Sequence, residues 1–222
     1  MNNVVDNNKH TSLPTWLLVS IFSIWIAATL AGLWWFQSDK LKAFIDANDD
    51  IAFYQPQSIN RYLLPYLEQA DLKQAQLNEG LSSSAKPENQ QTLLHFWRPD
   101  CLCNRVSQRH FSTLIKEYTA EELRIVIIAH PNSDDESIKE LIELNGDRFM
   151  VIRAQEDLLS LPSSPSLAIY DANSELSYFG PYGFGAFCNV REDGFLSSII
   201  NDPKSKGFTN VIGDGCFCSW RD

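Results

Sequence analysis

The chain begins with one long apolar run and continues with shorter, patterned runs. Residues 16–36 read WLLVSIFSIWIAATLAGLWWF and carry no charged side chain. At about 1.5 Å per residue, a helix of this length spans a hydrocarbon core of about 30 Å. Tryptophans stand at both ends of the run, where aromatic residues anchor helices at membrane interfaces. The pattern predicts a transmembrane helix at 16–36, preceded by a short N-terminal tail at 1–15.

A cleaved signal peptide is the alternative interpretation of this run. Signal sequences have apolar regions of about 7–15 residues that precede small residues at a cleavage site. Here the run is longer, WWFQSDK follows it, and no cysteine stands there for lipidation. These features favour a single retained anchor. The lysines do not fix its orientation: Lys9 precedes the run, whereas Lys40 and Lys42 follow it, which leans slightly against export of the following domain.

Residues 37–91 carry weaker patterns and no recognisable chemistry. KLKAFIDAND at 40–49 is expected to extend the anchor as a short helix. The segment at 59–77 has helical spacing that Pro65 interrupts. Residues 81–91 are rich in serine, proline and glutamine, which is typical of a linker. We expect a stalk or packed extension over 37–91.

From residue 92 onward, short apolar runs alternate with segments of helical period. The predicted elements are strands at 92–97, 123–129 and 149–154, helices at 104–118, 133–146 (with Ser133 and Glu136 as a capping box) and 194–201, and a hairpin of 166–171 with 176–180. This alternation predicts an α/β sandwich whose parallel strands are followed by an antiparallel edge. The predicted domain covers 92–206, and a cysteine-containing tail covers 207–222.

Charge and motif content narrow the classes of function. The formal net charge is −10, so the protein repels phosphate backbones and we expect no nucleic-acid partner. The acidic residues form no paired-carboxylate motif and are expected to be a solvated surface. A Ser-His-Asp order, a phosphate-binding loop and an HExxH motif are also lacking. The cysteines are therefore the main candidate chemistry.

The five cysteines include a pair at the first predicted strand–helix turn. Cys101 and Cys103 lie in HFWRPDCLCNR, between the strand and the helix. The free N–H groups of a helix N-terminus carry about +0.5 charge. That charge stabilises a thiolate and lowers the thiol pKa below its free value of about 8.5. We therefore expect a reactive, low-pKa thiol at this turn.

Three segments together resemble the thioredoxin-like superfamily, particularly its membrane-anchored TlpA-like branch. HFWRPDC at 95–101 is similar to the strand end and first cysteine of FWAxWCxxC, SSPSLAIYD at 163–171 to the cis-proline loop, and FGPYGFG at 179–185 to the glycine turn. The resemblance implies a three-layer α/β sandwich behind the single N-terminal transmembrane helix, and it implies no cofactor. It assigns Cys101 as an exposed nucleophile that forms mixed disulfides with protein thiols and disulfides. It also implies a cis Ser164–Pro165 bond near Cys101, with Pro165 holding the substrate chain and keeping metals from the thiols.

The second cysteine departs from the family pattern. Position 104, where the resolving cysteine of CxxC stands, is Asn104, so the motif is C-x-C. A disulfide within C-x-C closes a small, strained ring, which makes it more oxidising. We expect Cys103 to resolve mixed disulfides, either directly or with Cys188, Cys216 or Cys218 as an auxiliary or alternative resolving thiol, and we expect Cys188 on the same face as Cys101. A second C-x-C, Cys216 and Cys218, lies in a tail long enough to reach the site.

Three functions remain open on the sequence alone. The first is thiol–disulfide exchange on extracytoplasmic proteins. The second is handling of Cu(I) or Zn(II), which thiolates in C-x-C pairs suit. His95, His110 and His130 are further candidate ligands, although a strand position for His95 and a mid-helix position for His110 favour structural roles. The third is a non-catalytic domain that binds a partner in the same groove.

The cysteines and the resemblance also predict a location. Cysteines of this kind suit an oxidising compartment better than the cytosol. With the family resemblance, this predicts a single-pass protein of the bacterial inner membrane whose soluble domain is periplasmic. The sequence does not predict an oligomeric state.

Overall fold

The structure is a computed structural model, and it describes residues 14–78, 87–146, 148–155, 161–185, 193–202 and 207–221. Cys188 and positions 81–86 of the predicted linker lie outside these residues. The chain divides into two compact units, Met1–Lys40 and Leu41–Asp222.

The first unit contains one long helix, α1 (Thr15–Lys40). Its segment Thr15–Trp35 is long and apolar enough to cross a membrane. None of its described side chains is buried. The hydroxyls of Ser20 and Thr29 donate to the carbonyls of Trp16 and Trp25, one turn earlier. Both hydroxyls thus have hydrogen-bond partners within the helix, as polar groups in a hydrocarbon environment need.

The second unit alternates strands and helices much as the hydrophobic pattern predicts. Its elements are β1 (Lys42–Ala43), a 3-10 turn (Ile51–Tyr54), α2 (Pro56–Asn78), β2 (Gln91–Trp97), α3 (Leu102–Glu117), β3 (Leu123–Ala129), α4 (Asp135–Asn145), β4 (Phe149–Arg153), β5 (Ser163–Ser164), β6 (Ser166–Tyr170), β7 (Leu176–Pro181), α5 (Asp193–Asn201), β8 (Phe208–Thr209), β9 (Asp214–Gly215) and β10 (Cys218–Ser219). The predicted helical extension at 40–49 is wrong, because α1 ends at Lys40 and β1 pairs with β9.

The described strands include one six-stranded sheet in the order β4-β3-β2-β6-β7-β8. Strands β2, β3 and β4 are parallel, whereas β6 is antiparallel to both β2 and β7. The predicted parallel strands and hairpin are therefore confirmed. The hairpin is not the edge of the sheet, because the short strand β8 adds parallel to β7.

Apolar clusters cover both faces of this sheet, so its central strands have no polar face. On one face, Leu93 and Ile127 belong to a cluster that includes residues of α3, α4 and α5. On the other face, Leu94 and Phe96 pack with residues of α2 and of the C-terminal tail. Burial on both faces explains the continuous apolar runs at β2 and β3. The domain therefore has three layers, with the sheet in the middle.

Helix α2 supplies much of the second layer and runs through Pro65 without interruption. Pro65 is exposed, whereas Leu63, Tyr66 and Leu67 are buried against the sheet. Packing of this apolar face offsets the hydrogen bond that a proline removes from a helix. The predicted interruption at Pro65 is therefore wrong. An ion pair of 2.5 Å between Arg124 of β3 and Asp71 also ties α2 to the sheet.

Helix α4 begins one residue later than the predicted capping box implies. Its N-cap is Asp134, whose carboxylate accepts a 2.7 Å hydrogen bond from the backbone N–H of Ser137. Aspartate at the N-cap satisfies a free N–H group of the first turn, so Ser133 has no capping role. The helix stops at Gly146 as predicted, and the φ angle of 73° there suits glycine.

The strand order and the proline before β6 identify the fold. The strand that precedes α3 lies in the middle of the sheet, β3 is parallel beside it, and the β6–β7 hairpin lies on its other side. The Ser164–Pro165 peptide bond is cis, as expected. The second unit is thus a mixed α/β domain of the thioredoxin-like fold.

The C-terminal tail is part of this domain rather than an appendage. Phe217 and Trp220 are buried, and the Trp220 ring contacts the rings of Phe96 and His130 with centroid distances of 6.1 and 5.1 Å. At the same time β9 pairs with β1, and β10 pairs with β5. Apolar burial and backbone pairing therefore both attach the tail to the domain.

We predict that Trp220→Ala lowers the free energy of unfolding by about 3–5 kcal/mol, the range for large aromatic truncations in cores. The control is Ile212→Ala in the same tail, where the side chain is 75% exposed. It should change the free energy by no more than about 0.5 kcal/mol. Urea unfolding of the full chain in detergent, followed by circular dichroism, measures both. Equal effects of the two substitutions would contradict the packing of the tail.

Candidate functional site

The site lies where β2 passes into α3. Strand β2 ends at Trp97, and Cys101 is the N-cap of α3 with no side-chain capping hydrogen bond of its own. Cys103 lies in the first helical turn. The free N–H groups of this turn place positive partial charge beside both sulfurs. The predicted position between strand and helix is confirmed for Cys101, whereas Cys103 lies inside the helix, which begins two residues earlier than predicted.

Within the described residues, two disulfides join the C-x-C at this turn to the C-x-C of the tail. Cys101 bonds to Cys218, with Cα atoms 5.8 Å apart, and Cys103 bonds to Cys216, with Cα atoms 5.5 Å apart. The two cysteines of the first C-x-C are therefore bonded to the tail and not to each other. Strand β10 carries Cys218 beside the N-cap of α3, which makes the cross-connection possible.

The tail also changes which sulfur is accessible. Cys101 is 3% exposed and Cys103 is 6% exposed, whereas Cys216 and Cys218 are half-buried. The expectation that Cys101 is an exposed thiol is wrong, because β10 lies over it. The sulfur atoms of Cys101, Cys103 and Cys218 all lie within 4.8 Å of one another. These three atoms form the centre of the site.

The loop before the cis proline forms the opposite wall. The carbonyl oxygen of Ser164 lies 3.5 Å from the Cys101 sulfur, so the loop touches the disulfide directly. Strand β5 pairs antiparallel with β10, and Cys218 lies opposite Ser164 in the register. Pro165 follows in the cis conformation. The proximity expected between this loop and Cys101 is confirmed.

Asn104 occupies the position of the missing CxxC cysteine. It is buried, and its Nδ2 donates a 2.5 Å hydrogen bond to the carbonyl of Arg98. Its Oδ1 accepts from the hydroxyl of Ser164 at 3.3 Å. The amide therefore joins the loop before α3 to the proline loop. In this chain, position 104 has a structural bond where the family pattern has a thiol.

Arg98 is a site residue that the sequence analysis missed. Its Nε and Nη2 donate to the carboxylate of Asp100 at 2.7 and 2.9 Å, and its Nη1 donates to the carbonyl of Ser219 at 2.5 Å. The Arg98 hydrogen bond lowers the pKa of Asp100, so the two groups form a charged pair beside the disulfide. The loop sequence gives no sign of this role, because Ser219 is distant in the chain.

The three candidate histidines have structural contacts, and the buried ring of His110 stacks on the ring of Tyr182 with a centroid distance of 6.3 Å. His130 Nδ1 accepts from the N–H of Asn132, and its Nε2 donates to the carbonyl of Trp220 at 2.9 Å. Burial is the main cause that lowers the pKa of His130. His95 lies 2.8 Å from the hydroxyl of Tyr182, and burial lowers its pKa to about 3. The candidate metal-ligand cluster in the described residues contains three cysteines and no histidine.

An open groove of about 480 Å³ reaches the site from the α3–α4 side. Its lining includes Trp97, Pro99, Cys101, Asn104 and Arg105. The groove thus contacts the Cys101 end of the Cys101–Cys218 bond and offers both an apolar wall and a cationic side chain.

Solved structures with low sequence identity resemble the chain. A thioredoxin-like protein from Aeropyrum pernix is 17% identical over 52% of this chain and 78% of its own, with a TM-score of 0.41. A hypothetical protein from Sinorhizobium meliloti 1021 is 14% identical over 61% and 80%, with a TM-score of 0.45. A secreted Mycobacterium tuberculosis disulfide oxidoreductase, homologous to E. coli DsbE, is 16% identical over 50% and 79%, with a TM-score of 0.38.

None of the curated proteins matches the sequence. Residues 69–220 match a protein family described as a domain of unknown function, DUF6436. The matched range contains α3, the proline loop and both C-x-C motifs. Since it covers more than half of the chain, the protein belongs to the DUF6436 family.

Proposed function

We propose that this protein is a membrane-anchored thioredoxin-like protein that carries out thiol–disulfide exchange on extracytoplasmic proteins. The observation that carries the proposal is the Cys101–Cys218 disulfide, held at the N-terminus of α3 against the loop of the cis proline. A thiolate at a helix N-terminus is stabilised, and Cys101 forms part of the lining of an open groove beside the disulfide. Together these features suit a reversible disulfide.

The exchange runs in either direction through a mixed disulfide at Cys101. In the reduced protein, the Cys101 thiolate attacks a substrate disulfide, a Cys101–substrate bond forms, and one substrate thiolate leaves. Cys218 then attacks the Cys101 sulfur, which restores Cys101–Cys218 and releases the second substrate thiolate. The reverse sequence oxidises a substrate dithiol. Electrons and protons balance within the two dithiol–disulfide couples.

This proposal assigns resolution to Cys218 instead of Cys103. Cys218 is bonded to Cys101 in the structure, whereas Cys103 is bonded to Cys216. The assignment of Cys103 as the resolving thiol stays a sequence prediction that a trapping experiment can compare directly with this one.

We predict that Cys218→Ser traps a mixed disulfide at Cys101 and that Cys101→Ser forms none at the N-terminus of α3. The first variant keeps the attacking thiol but lacks the resolving one, whereas the second lacks the attacking thiol. Each full-length variant is reduced and mixed with a synthetic peptide that contains an intramolecular disulfide. It is then quenched in acid, alkylated and analysed by mass spectrometry. Trapping by Cys103→Ser, with free turnover of Cys218→Ser, would contradict the assignment of Cys218.

Metal handling is the second candidate function, and the proximity of the sulfurs favours it. In the reduced protein, Cys101, Cys103 and Cys218 could present thiolates within 4.8 Å of one another, as Cu(I) or Zn(II) sites require. One measurement distinguishes the two functions. If protein reduced and purified without oxygen contains stoichiometric metal, and its thiols react only after chelation, metal handling displaces exchange. If the protein neither exchanges disulfides nor binds metal, the remaining candidate is a domain that binds a partner without catalysis.

The proposed location is the bacterial inner membrane, with the domain on the periplasmic side. Support comes from two observations: α1 is an apolar helix of membrane-spanning length, and the domain holds two disulfides, which persist in oxidising compartments.

We predict that the full chain stays in the membrane pellet after carbonate extraction and that Ile24→Arg shifts it toward the soluble fraction. A cationic side chain near the middle of a transmembrane helix costs about 2.5–3.5 kcal/mol. Ile212→Arg, at an exposed site of the domain, is the control and should remain membrane-bound. Protease added to spheroplasts should digest the domain. A mature N-terminus beyond residue 36, or a protected domain, would contradict this location.

A further inference from the structure

The Cys103–Cys216 disulfide is not needed for the exchange at Cys101, yet it lies beside it. The sulfurs of Cys101, Cys103 and Cys218 lie within 4.8 Å of one another, so the partner of Cys101 is close to the second disulfide as well. A thiolate released from Cys218 is therefore near an electrophilic sulfur, that of Cys103. Proximity of this kind is what intramolecular thiol–disulfide exchange requires.

The tail remains in place when the Cys101–Cys218 bond opens. Trp220 is fully buried, and Arg98 donates to the carbonyl of Ser219. At the chain end, Arg221 forms a 2.7 Å ion pair with Asp49. Burial raises the pKa of Asp49, but hydrogen bonds from Arg221 and Tyr54 outweigh that effect and lower it, so the carboxylate stays charged near neutral pH. Non-covalent contacts on both sides of Cys218 thus hold its thiol within reach of Cys103.

On the basis of the function proposed above, we propose that Cys103–Cys216 is a second redox couple, connected in series with the first through Cys218. When a substrate thiolate attacks Cys101, the Cys101–substrate bond forms and Cys218 leaves as a thiolate. The Cys218 thiolate then attacks the Cys103 sulfur. A Cys103–Cys218 bond forms, the Cys103–Cys216 bond breaks, and Cys216 leaves as a thiolate that takes up a proton from water.

The order of events selects Cys218 as the attacking group. At that stage Cys101 is bonded to the substrate, so it has no free thiolate. Attack by Cys218 also keeps one covalent bond between α3 and the tail throughout the exchange. No external oxidant or reductant enters this step, because one disulfide is broken and one is formed.

Under this proposal, electrons enter the site at Cys101 and leave it through a different thiol. Cys216 is half-buried, whereas Cys103 is buried, so Cys103 acts as an internal junction and Cys216 as the thiol that a second partner meets. The chemical class of that partner is a disulfide, of a protein or of a small molecule, which the Cys216 thiolate attacks. Four cysteines in this arrangement hold up to two disulfides, so the site takes up electrons in two successive pairs.

The test uses full-length Cys101→Ser, in which Cys218 lacks its usual partner. The proposal predicts that Cys218 attacks Cys103 without any substrate. The oxidised variant should then contain both Cys103–Cys216 and Cys103–Cys218 linkages at equilibrium. We expect the second linkage on the order of a tenth or more of the total, since a tenfold ratio corresponds to about 30 mV between disulfides. Cleavage after Leu102 and Phe217 separates the cysteines of each motif for mass spectrometry.

The matched control is Cys101→Ser combined with Cys218→Ser, which should contain Cys103–Cys216 alone. Near-UV circular dichroism of the buried Trp220 verifies that both variants are folded. Should Cys101→Ser fail to fold, the wild-type chain treated with one equivalent of phosphine reductant replaces it, and Cys103–Cys218 is expected with Cys101 and Cys216 alkylated. Cys103–Cys216 alone, after a day at pH 8 in the folded variant, overturns the series connection.

This outcome is independent of the proposed function. A wild-type chain that exchanges with the peptide disulfide, beside a Cys101→Ser chain that holds Cys103–Cys216 alone, refutes the series connection and leaves the exchange function intact. A Cys103–Cys218 linkage in a protein that never exchanges with an external disulfide refutes the function and supports the internal transfer.

Discussion

Burial of the tail against the sheet is the constraint on which the site depends. Trp220 fills the space between Phe96 of β2 and His130 after β3, and this contact places β10 beside β5. In that position Cys218 reaches the N-cap of α3. Because burying large aromatic side chains contributes several kcal/mol, the tail is a structural part of the domain, and packing as well as the two disulfides holds the sulfurs together.

The tail also gives this thioredoxin-like domain a different arrangement of cysteines around the strand–helix turn. The thioredoxin-like CxxC motif places its second cysteine at position 104. This chain has Asn104 there, and the amide of Asn104 joins the loop of Arg98 to Ser164. The second sulfur comes instead from β10, a strand laid against the loop before the cis proline. Arg98 strengthens this arrangement, because one guanidinium contacts Asp100 on its own loop and Ser219 on the tail. Helix, loop and tail are therefore connected through polar contacts as well as through sulfur.

Much of the fold was predictable from the sequence, because burial on both faces leaves β2 and β3 with apolar runs that are hard to mistake. The strand–helix turn at Cys101 and the proline loop at Ser164–Pro165 followed from local patterns. The disulfide pairing did not, since the bonded cysteines are 117 and 113 residues apart and the contacts that align them are non-local. For the same reason the role of Arg98 and the burial of Cys101 were missed. The predicted interruption at Pro65 was wrong because tertiary packing of α2 outweighs the local helix-breaking preference of proline.

The central claim is that the tail C-x-C completes the site by bonding across to α3. The most direct measurement is disulfide mapping of the full chain in its own membrane, with thiols trapped by rapid acid quench and alkylation before extraction. The account predicts Cys101–Cys218 and Cys103–Cys216 linkages, as in the structure. A Cys101–Cys103 or Cys216–Cys218 linkage in the folded protein, or a bond from Cys101 to Cys188, would contradict it.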